Sequence, residues 1–297
     1  MGIDIHALNF LKYSRNKKEF GDTLTIGRQG IHVNESLIKK SINAKPDYKN
    51  NVYCEELLTE YFGAKKVESI DNSAYEGATH IHNMNDPIPQ NLAGRFDTVF
   101  DGGCLEHIFN IPQALKNCSL FCKPGGQIIH VLPANNFCGH GFWQFSPELF
   151  FSLYSKENGY IDTEVFVADT LDANNWYQVK QPTGGQRVNI TSLNSLHVLV
   201  RTILIGNEIN HSNVQQSDYI YEWNNSEGSQ AEAKNKLAFN QRFKQFLSKY
   251  RILSPFFALY RNRKAIHVYL KKYKSNRRYR KNQGLSVIEV KKFVDSK

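Results

Sequence analysis

The sequence predicts an open α/β sheet of mostly parallel strands, with helices on both faces and a basic helical appendage at its C-terminal end. Three observations carry that prediction. Five short β-branched or aromatic runs alternate with stretches of helical spacing between Asp22 and Leu132, the pattern of strands joined by crossover helices. Phe96 to Pro133 reads as strand, polar loop, helix, glycine break and second strand, and such a connection is a right-handed crossover between parallel strands. From Ala231 onward the chain carries 19 Lys+Arg against three acids, a net +16 that leaves −7 for residues 1–230. The basic character therefore belongs to a separate segment.

Taken in order, Thr23 to Gly27 is the first strand, followed by the loop Arg28-Gln29-Gly30 and helical spacing from Glu35 to Ser41. Pro46 and its polar neighbours make Ala44 to Asn51 an excursion; Cys54 to Phe62 is helical again, and Val67 to Ile70 is a second strand closed by Asp71. Ala78 to His82 is the third strand, ahead of a loop marked by Pro87 and Pro89. Phe96 to Phe100 and Gln127 to Leu132 are the fourth and fifth, on either side of a helix over Phe109 to Cys122, with Pro124-Gly125-Gly126 as the break. Ser146-Pro147-Glu148 starts another helix, with a capping serine, proline at the first position and an acid in the first turn, and Gly159 stops it. Tyr160 to Val167 and Ser195 to Ile205 are strands by their β-branched content, and polar Asp172 to Asn194 between them reads as a loop or small hairpin. The organisation expected is a main domain over 1–209, a linker over 210–230 and a basic helical segment over 231–297.

Hydrophobic content of 41% and charged content of 22% are those of a soluble globular protein. No run approaches the roughly 18 apolar residues of a membrane span, and the N-terminal residues lack the apolar core of a signal peptide. A cytoplasmic location is expected. The five cysteines (54, 104, 118, 122 and 138) lack the paired spacing of a zinc ribbon or a disulfide framework and read as reduced. The basic segment, with Phe256, Phe257, Tyr260 and Tyr269 among its cations, reads as a solvated appendage or as an element that meets the anionic inner surface of a membrane. Nucleic acid is disfavoured, because no recognisable binding module accompanies the charge.

In a parallel sheet, ligands sit beyond the carboxyl ends of the strands. Those ends are Gly27 to Gly30, Asp71, Asp101 to His107 and Pro133 to His140. The strand with acidic end VESID (Val67 to Asp71), the block FDTVFDGG with Leu105-Glu106-His107, and Lys123-Pro124-Gly125-Gly126 together resemble class I S-adenosylmethionine-dependent methyltransferases, over about Asp22 to Ile205. Gly139 to Phe151 is similar to methyltransferase-like proteins of bacterial surface-polysaccharide clusters. The resemblance implies a Rossmann-like sheet of seven strands whose last runs antiparallel, with S-adenosylmethionine over the first half. It places Gly27 and Gly30 at the cofactor's glycine loop, Asp71 at the ribose hydroxyls, Asn85 or Asp86 near adenine, and Asp101 and Gly102 beside the sulfonium. The activity implied is methyl transfer to an oxygen of a glycan or related small molecule in polysaccharide biosynthesis.

The chain departs from the family at Thr25-Ile26-Gly27-Arg28-Gln29-Gly30, which lacks the usual acid before the first glycine and the middle glycine. Arg28 also brings a cation toward a site for a cationic sulfonium, unfavourable unless it points away or holds a carboxylate. The alternative reading is therefore a methyltransferase-like binding or scaffold protein without catalysis. A hydroxyl acceptor needs a base, and His107 and His140, with Glu106 as partner, are the candidates, because imidazole is mostly neutral at cellular pH. Each has a structural alternative. Glu106 suits the start of a helix, His107 a packed or solvated helical position, and His140 a loop between glycines. No His/Cys/Asp grouping has metal-ligand spacing, so no metal is expected.

Overall fold

A computed structural model describes residues 2–45, 47–206, 211–212, 214–225, 266–267 and 285–295. The chain begins with β1 (Gly2–Ile3) and α1 (Ile5–Lys17), whose cap Asp4 accepts a hydrogen bond from Ala7 N at 2.8 Å. The sequence reading assigns no element here. The reason is that the buried residues of α1 (His6, Ala7, Leu8, Phe10, Leu11, Tyr13 and Ser14) include polar ones and surround much of its circumference, so no apolar stripe stands out.

The next elements follow the expected β-loop-α rhythm: β2 (Gly21–Ile26), β3 (Gly30–Ile31), α2 (Glu35–Ile42), α3 (Glu55–Tyr61), β4 (Ala64–Asp71), β5 (His80–Ile81), β6 (Phe96–Asp101), α4 (Ile111–Phe121) and β7 (Cys122–Pro133). Then come α5 (Pro147–Leu153), β8 (Tyr160–Asp169), β9 (Asn175–Val179), β10 (Ile190–Thr191), β11 (Leu196–Leu204), α6 (Ser217–Asn224), β12 (Ile266–His267), β13 (Leu285–Glu289) and α7 (Val290–Asp295).

One nine-stranded sheet has the order β13-β9-β8-β11-β7-β6-β2-β4-β5. From β5 to β7 the pairs are parallel, and the order third, second, first, fourth, fifth is that of a doubly wound half-sheet. β11, the last of the seven expected strands, is antiparallel to both of its neighbours, β7 and β8. Side chains alternate along the strands: Ile128 and Leu132 of β7 join one apolar core with α4 and α5, whereas Ile129 and Val131 join another with α1, α2, α3 and α7. Helices thus cover both faces, as expected of the α/β class.

Three expectations need correction. The sheet has nine strands rather than seven, and half of its pairs are antiparallel, because β9 and β13 continue it beyond β8. β9 lies in the stretch read as a loop or small hairpin; its Asn-Trp-Tyr-Gln-Val is short and flanked by turn residues, yet Trp176 and Tyr177 are buried. Without these two strands β8 would present a long open edge. The second correction concerns the basic helical segment. Residues 285–289 are a sheet strand, and α7 packs on α1, with Phe293 stacked on Tyr13 at 4.7 Å between ring centroids and Val290 and Val294 buried. Apart from these residues and the short strand β12 (Ile266–His267), which pairs in parallel with β10, the basic segment read as helical, and with it the membrane-facing surface, lies outside the described residues. Third, the linker reading over 210–230 contains α6, held where Ser217 N donates to Glu148 Oε1 at 2.8 Å and Arg187 pairs with buried Asp218. Among the described residues no helix is long and apolar enough to cross a membrane, and all five cysteines are free.

Candidate functional site

The strand order reverses between β2 and β6, and a ligand crevice in such a sheet opens beyond the carboxyl ends at that point. Of the predicted residues, Gly27, Asp71 and Gly102 stand at the carboxyl ends of β2, β4 and β6, and Asp86 stands in the loop after β5. Gly27 leaves β2 with φ of 72°, a left-handed conformation that suits glycine, and its N–H donates to Ile70 O at 2.7 Å, tying the loop to β4. Asp71 ends β4 partly exposed, its Oδ1 accepting a long 3.4 Å hydrogen bond from Ser73 N. Gly102 follows β6; a side chain there would meet Gln29 Oε1 at 2.7 Å and the Phe100 ring at 2.9 Å. Asp86, exposed, sits in the loop after β5, which Asn117 Nδ2 holds by donating to Met84 O at 3.1 Å and to Asp86 O at 2.8 Å.

Two predicted residues are placed differently from expectation. Gly30 belongs to β3, paired in parallel with Gly2 of β1, so it supports a second strand instead of completing a glycine loop. Asp101 is fully buried and points into the protein: Oδ1 accepts from Cys104 N at 2.9 Å and Leu105 N at 3.4 Å, and Oδ2 accepts from His130 Nδ1 at 3.1 Å. A carboxylate only accepts, so His130 carries its proton on Nδ1 and accepts a hydrogen bond from the Tyr154 hydroxyl at Nε2, 2.7 Å away. Both Asp101 oxygens are thereby engaged in holding the strand end and its loop.

Arg28 reaches from the loop after β2 to α3 and to the loop after β4. Its Nε donates to Glu55 Oε1 at 2.7 Å, Nη1 donates to Glu76 O at 2.7 Å, and the guanidinium lies 4.0 Å from the Tyr53 ring centroid. The cation that would oppose a sulfonium is thus neutralised by Glu55. Gln29, which sequence reasoning passed over, is buried beside the switch point: Nε2 donates to Ile26 O at 2.6 Å, while Oε1 has no hydrogen-bond partner. A buried orphan acceptor, an available Asp71 carboxylate and a loop without unpaired cation fit S-adenosylmethionine, whose ammonium and ribose hydroxyls are donors. The N-terminal strand adds a wall, Gly2 N donating to Gly102 O at 3.0 Å.

The three candidates for chemistry come together. Leu105–His107 forms a single 3-10 turn after β6, and the loop after β7 returns to it. Phe142 N and Trp143 N both donate to Glu106 O, at 2.7 and 3.2 Å, and Trp143 Nε1 donates to Ile108 O at 2.9 Å. These bonds bring His140 Nε2 to 3.3 Å from Glu106 Oε1; His107 Nε2 is 3.8 Å from the same oxygen, and the imidazoles meet edge to face at 5.0 Å. A donor or acceptor atom from each of the three lies within 4.8 Å of the others. Glu106 is only 1% exposed and its Oε2 has no partner. Burial, and next the charge of Asp101, push its carboxyl up to about 8. Burial, followed by the neighbouring His140, lowers the pKa of His107.

The sequence carries no metal-ligand spacing because these groups come from two segments more than thirty residues apart. Exposed Phe109 and Phe142, edge to face at 6.2 Å, and partly exposed Trp143 border the cluster. The Asp101, His130 and Tyr154 chain was also missed, although Asp101 and His130 are direct partners in the β6/β7 register.

No protein-family profile matches the chain and no curated protein matches it by sequence. Solved structures of similar shape include the branched-chain polyamine synthase from Thermus thermophilus in complex with N4-aminopropylspermidine and 5'-methylthioadenosine, at 15% identity and TM-score 0.37, covering 72% of this chain and 60% of that one. N-methyltransferase NodS from Bradyrhizobium japonicum WM9 has 13% identity and TM-score 0.37, covering 66% and 93%. The 1,6-didemethyltoxoflavin-N1-methyltransferase of Burkholderia thailandensis, with bound 1,6-didemethyltoxoflavin and S-adenosylhomocysteine, has 10% identity and TM-score 0.36, covering 68% and 78%. Likeness at this level distinguishes neither activity nor substrate, as a synthase beside two methyltransferases makes plain.

Proposed function

We propose that this chain is an S-adenosylmethionine-dependent methyltransferase that acts on an oxygen of a glycan or related small molecule. The observation that carries the reading is the composition of the switch point: the strand-end acid Asp71 and the orphan acceptor Gln29 on one side, and the Glu106, His107 and His140 cluster on the next loop. When bound, the cofactor supplies a methyl carbon already activated by its sulfonium, so the protein's task is alignment, exclusion of water and removal of one proton.

Asp71 accepts from the ribose hydroxyls, the Asp86 loop flanks adenine, and Gln29 Oε1 accepts from the ammonium. A neutral imidazole of the cluster takes the acceptor's proton; the lowered pKa of His107 keeps it neutral at cellular pH. Glu106, with its pKa raised to about 8, stays largely neutral at cellular pH and so does not hold a proton on the imidazoles by its charge. Phe109, Phe142 and Trp143 offer apolar faces for the ring of a sugar, a surface that makes a glycan the favoured acceptor class. A role in surface-polysaccharide biosynthesis follows from that acceptor class.

Calorimetric titration with S-adenosylmethionine tests the reading. Binding is expected, and Asp71→Ala, at a partly exposed strand end, should weaken it at least about tenfold, or about 1.4 kcal/mol, with an unchanged melting temperature. A folded protein that takes up no cofactor at millimolar concentration would refute the methyltransferase reading and favour the scaffold alternative.

A further inference from the structure

We infer that Glu106, His107 and His140 form a binding site for a divalent transition-metal ion. Ligand atoms about 2.1 Å from a common ion lie roughly 3 to 3.5 Å from one another, and the separations here, 3.3 Å and 3.8 Å from Glu106 Oε1 to the two imidazoles with every atom within 4.8 Å, reach that arrangement by small side-chain rotations. Two imidazoles and one carboxylate are the donor set of zinc, iron(II), cobalt(II) and nickel(II) sites, whereas magnesium and calcium prefer oxygen alone.

The second observation is independent of the spacing. Glu106 Oε2 is a buried carboxyl oxygen without a hydrogen-bond partner, a polar atom that an ion displacing the acid's proton would satisfy. Glycines let the chain pass close to the acid: a Cβ on Gly141 would come within 2.7 Å of Glu106 O, and one on Gly103 within 3.2 Å of Glu106 Oε1. The backbone bonds from Phe142 and Trp143 to Glu106 O hold the loop bearing His140 against the acid before any ion arrives. Both imidazoles are solvent-exposed, so three protein ligands would leave open coordination positions facing outward, as in catalytic rather than structural sites.

This inference shares its residues with the proposed transferase site but does not depend on cofactor binding. An imidazole nitrogen bound to an ion no longer accepts a proton. A divalent ion held by Glu106, His107 and His140 would instead supply the activation itself, by lowering the pKa of a hydroxyl bound to it.

The test is calorimetry of the full chain, stripped with chelator, against zinc(II), with cobalt(II) absorption as a second readout of imidazole ligation. One ion per chain is expected, with a rise in melting temperature on binding. Glu106→Gln and His140→Asn should each weaken binding at least about tenfold, or about 1.4 kcal/mol, and abolish the cobalt bands, while His82→Asn, elsewhere on the surface, should leave both unchanged. His140 lies in an exposed loop, so His140→Asn keeps the test decisive if Glu106→Gln misfolds. Absence of binding at micromolar ion, or binding that survives both substitutions, would overturn the site and leave the methyltransferase reading to stand or fall on its own titration.

Discussion

Replacing Glu106 by glutamine should stabilise the metal-free protein, and by an amount that depends on pH in a defined way. The carboxyl is pushed from its ordinary value of 4.5 up to about 8 by burial and then by Asp101. The folded state therefore holds a proton that the unfolded chain has already released. Below about pH 4.5 both states are protonated and the acid costs nothing; as pH rises, stability falls by about 1.4 kcal/mol per unit until the folded carboxyl also ionises near pH 8. The accumulated loss is about 5 kcal/mol, with about 3 kcal/mol already present at neutral pH. Glutamine does not titrate. Its amide brings a constant offset from its own hydrogen bonding, so the informative quantity is the change with pH in the stability difference between variant and wild type. Urea unfolding of chelator-treated proteins at about pH 5, about pH 6.5 and about pH 8 measures it. The variant should gain on the wild type at each step. Parallel stability profiles would refute the argument, because they would mean that Glu106 ionises alike in both states.

Two further predictions concern the scaffold. Asp101→Ala strips partners from His130 Nδ1 and two backbone N–H groups and should cost about 2 to 4 kcal/mol in thermal or urea unfolding. Asp101→Asn should recover most of that loss, since the Tyr154 hydroxyl can accept if His130 changes tautomer; equal damage from both variants would contradict the network as described. Val294→Asp places a charge where α7 packs on α1 and should lower the stability of the whole domain by about 3 kcal/mol or more. If the main unfolding transition is unmoved, residues 290–295 do not belong to the core.

The parallel half of the sheet was legible because local signals agreed with the global fold: β-branched runs ended in glycine or acid, and helices had recognisable starts and stops. The same logic put Glu106, His107 and His140 at strand ends one at a time. Their meeting was not legible, since it depends on backbone hydrogen bonds from Phe142 and Trp143 to Glu106 O that no spacing announces. Asp101 and Gly30 were misplaced for a related reason. Sequence position fixes that a residue follows a strand, not whether its side chain turns toward the crevice or into the core, and His130 and Gly2 made that choice. α1 escaped notice because it is buried around much of its surface, and β13 because its five residues lie at the end of a long cationic stretch.

The return of β13 and α7 to the body of the protein sets the timing of its folding. Lys12 pairs with Asp295 at 2.6 Å across a sequence separation of 283 residues, and Asn16 Nδ2 donates to Val294 O at 2.7 Å. During synthesis α1 emerges well before residues 285–295, and its Tyr13 ring lacks the Phe293 contact until they follow. Long-range closure of this kind is slow, and it joins one ion pair, one side-chain hydrogen bond and one ring stack across nearly the whole sequence.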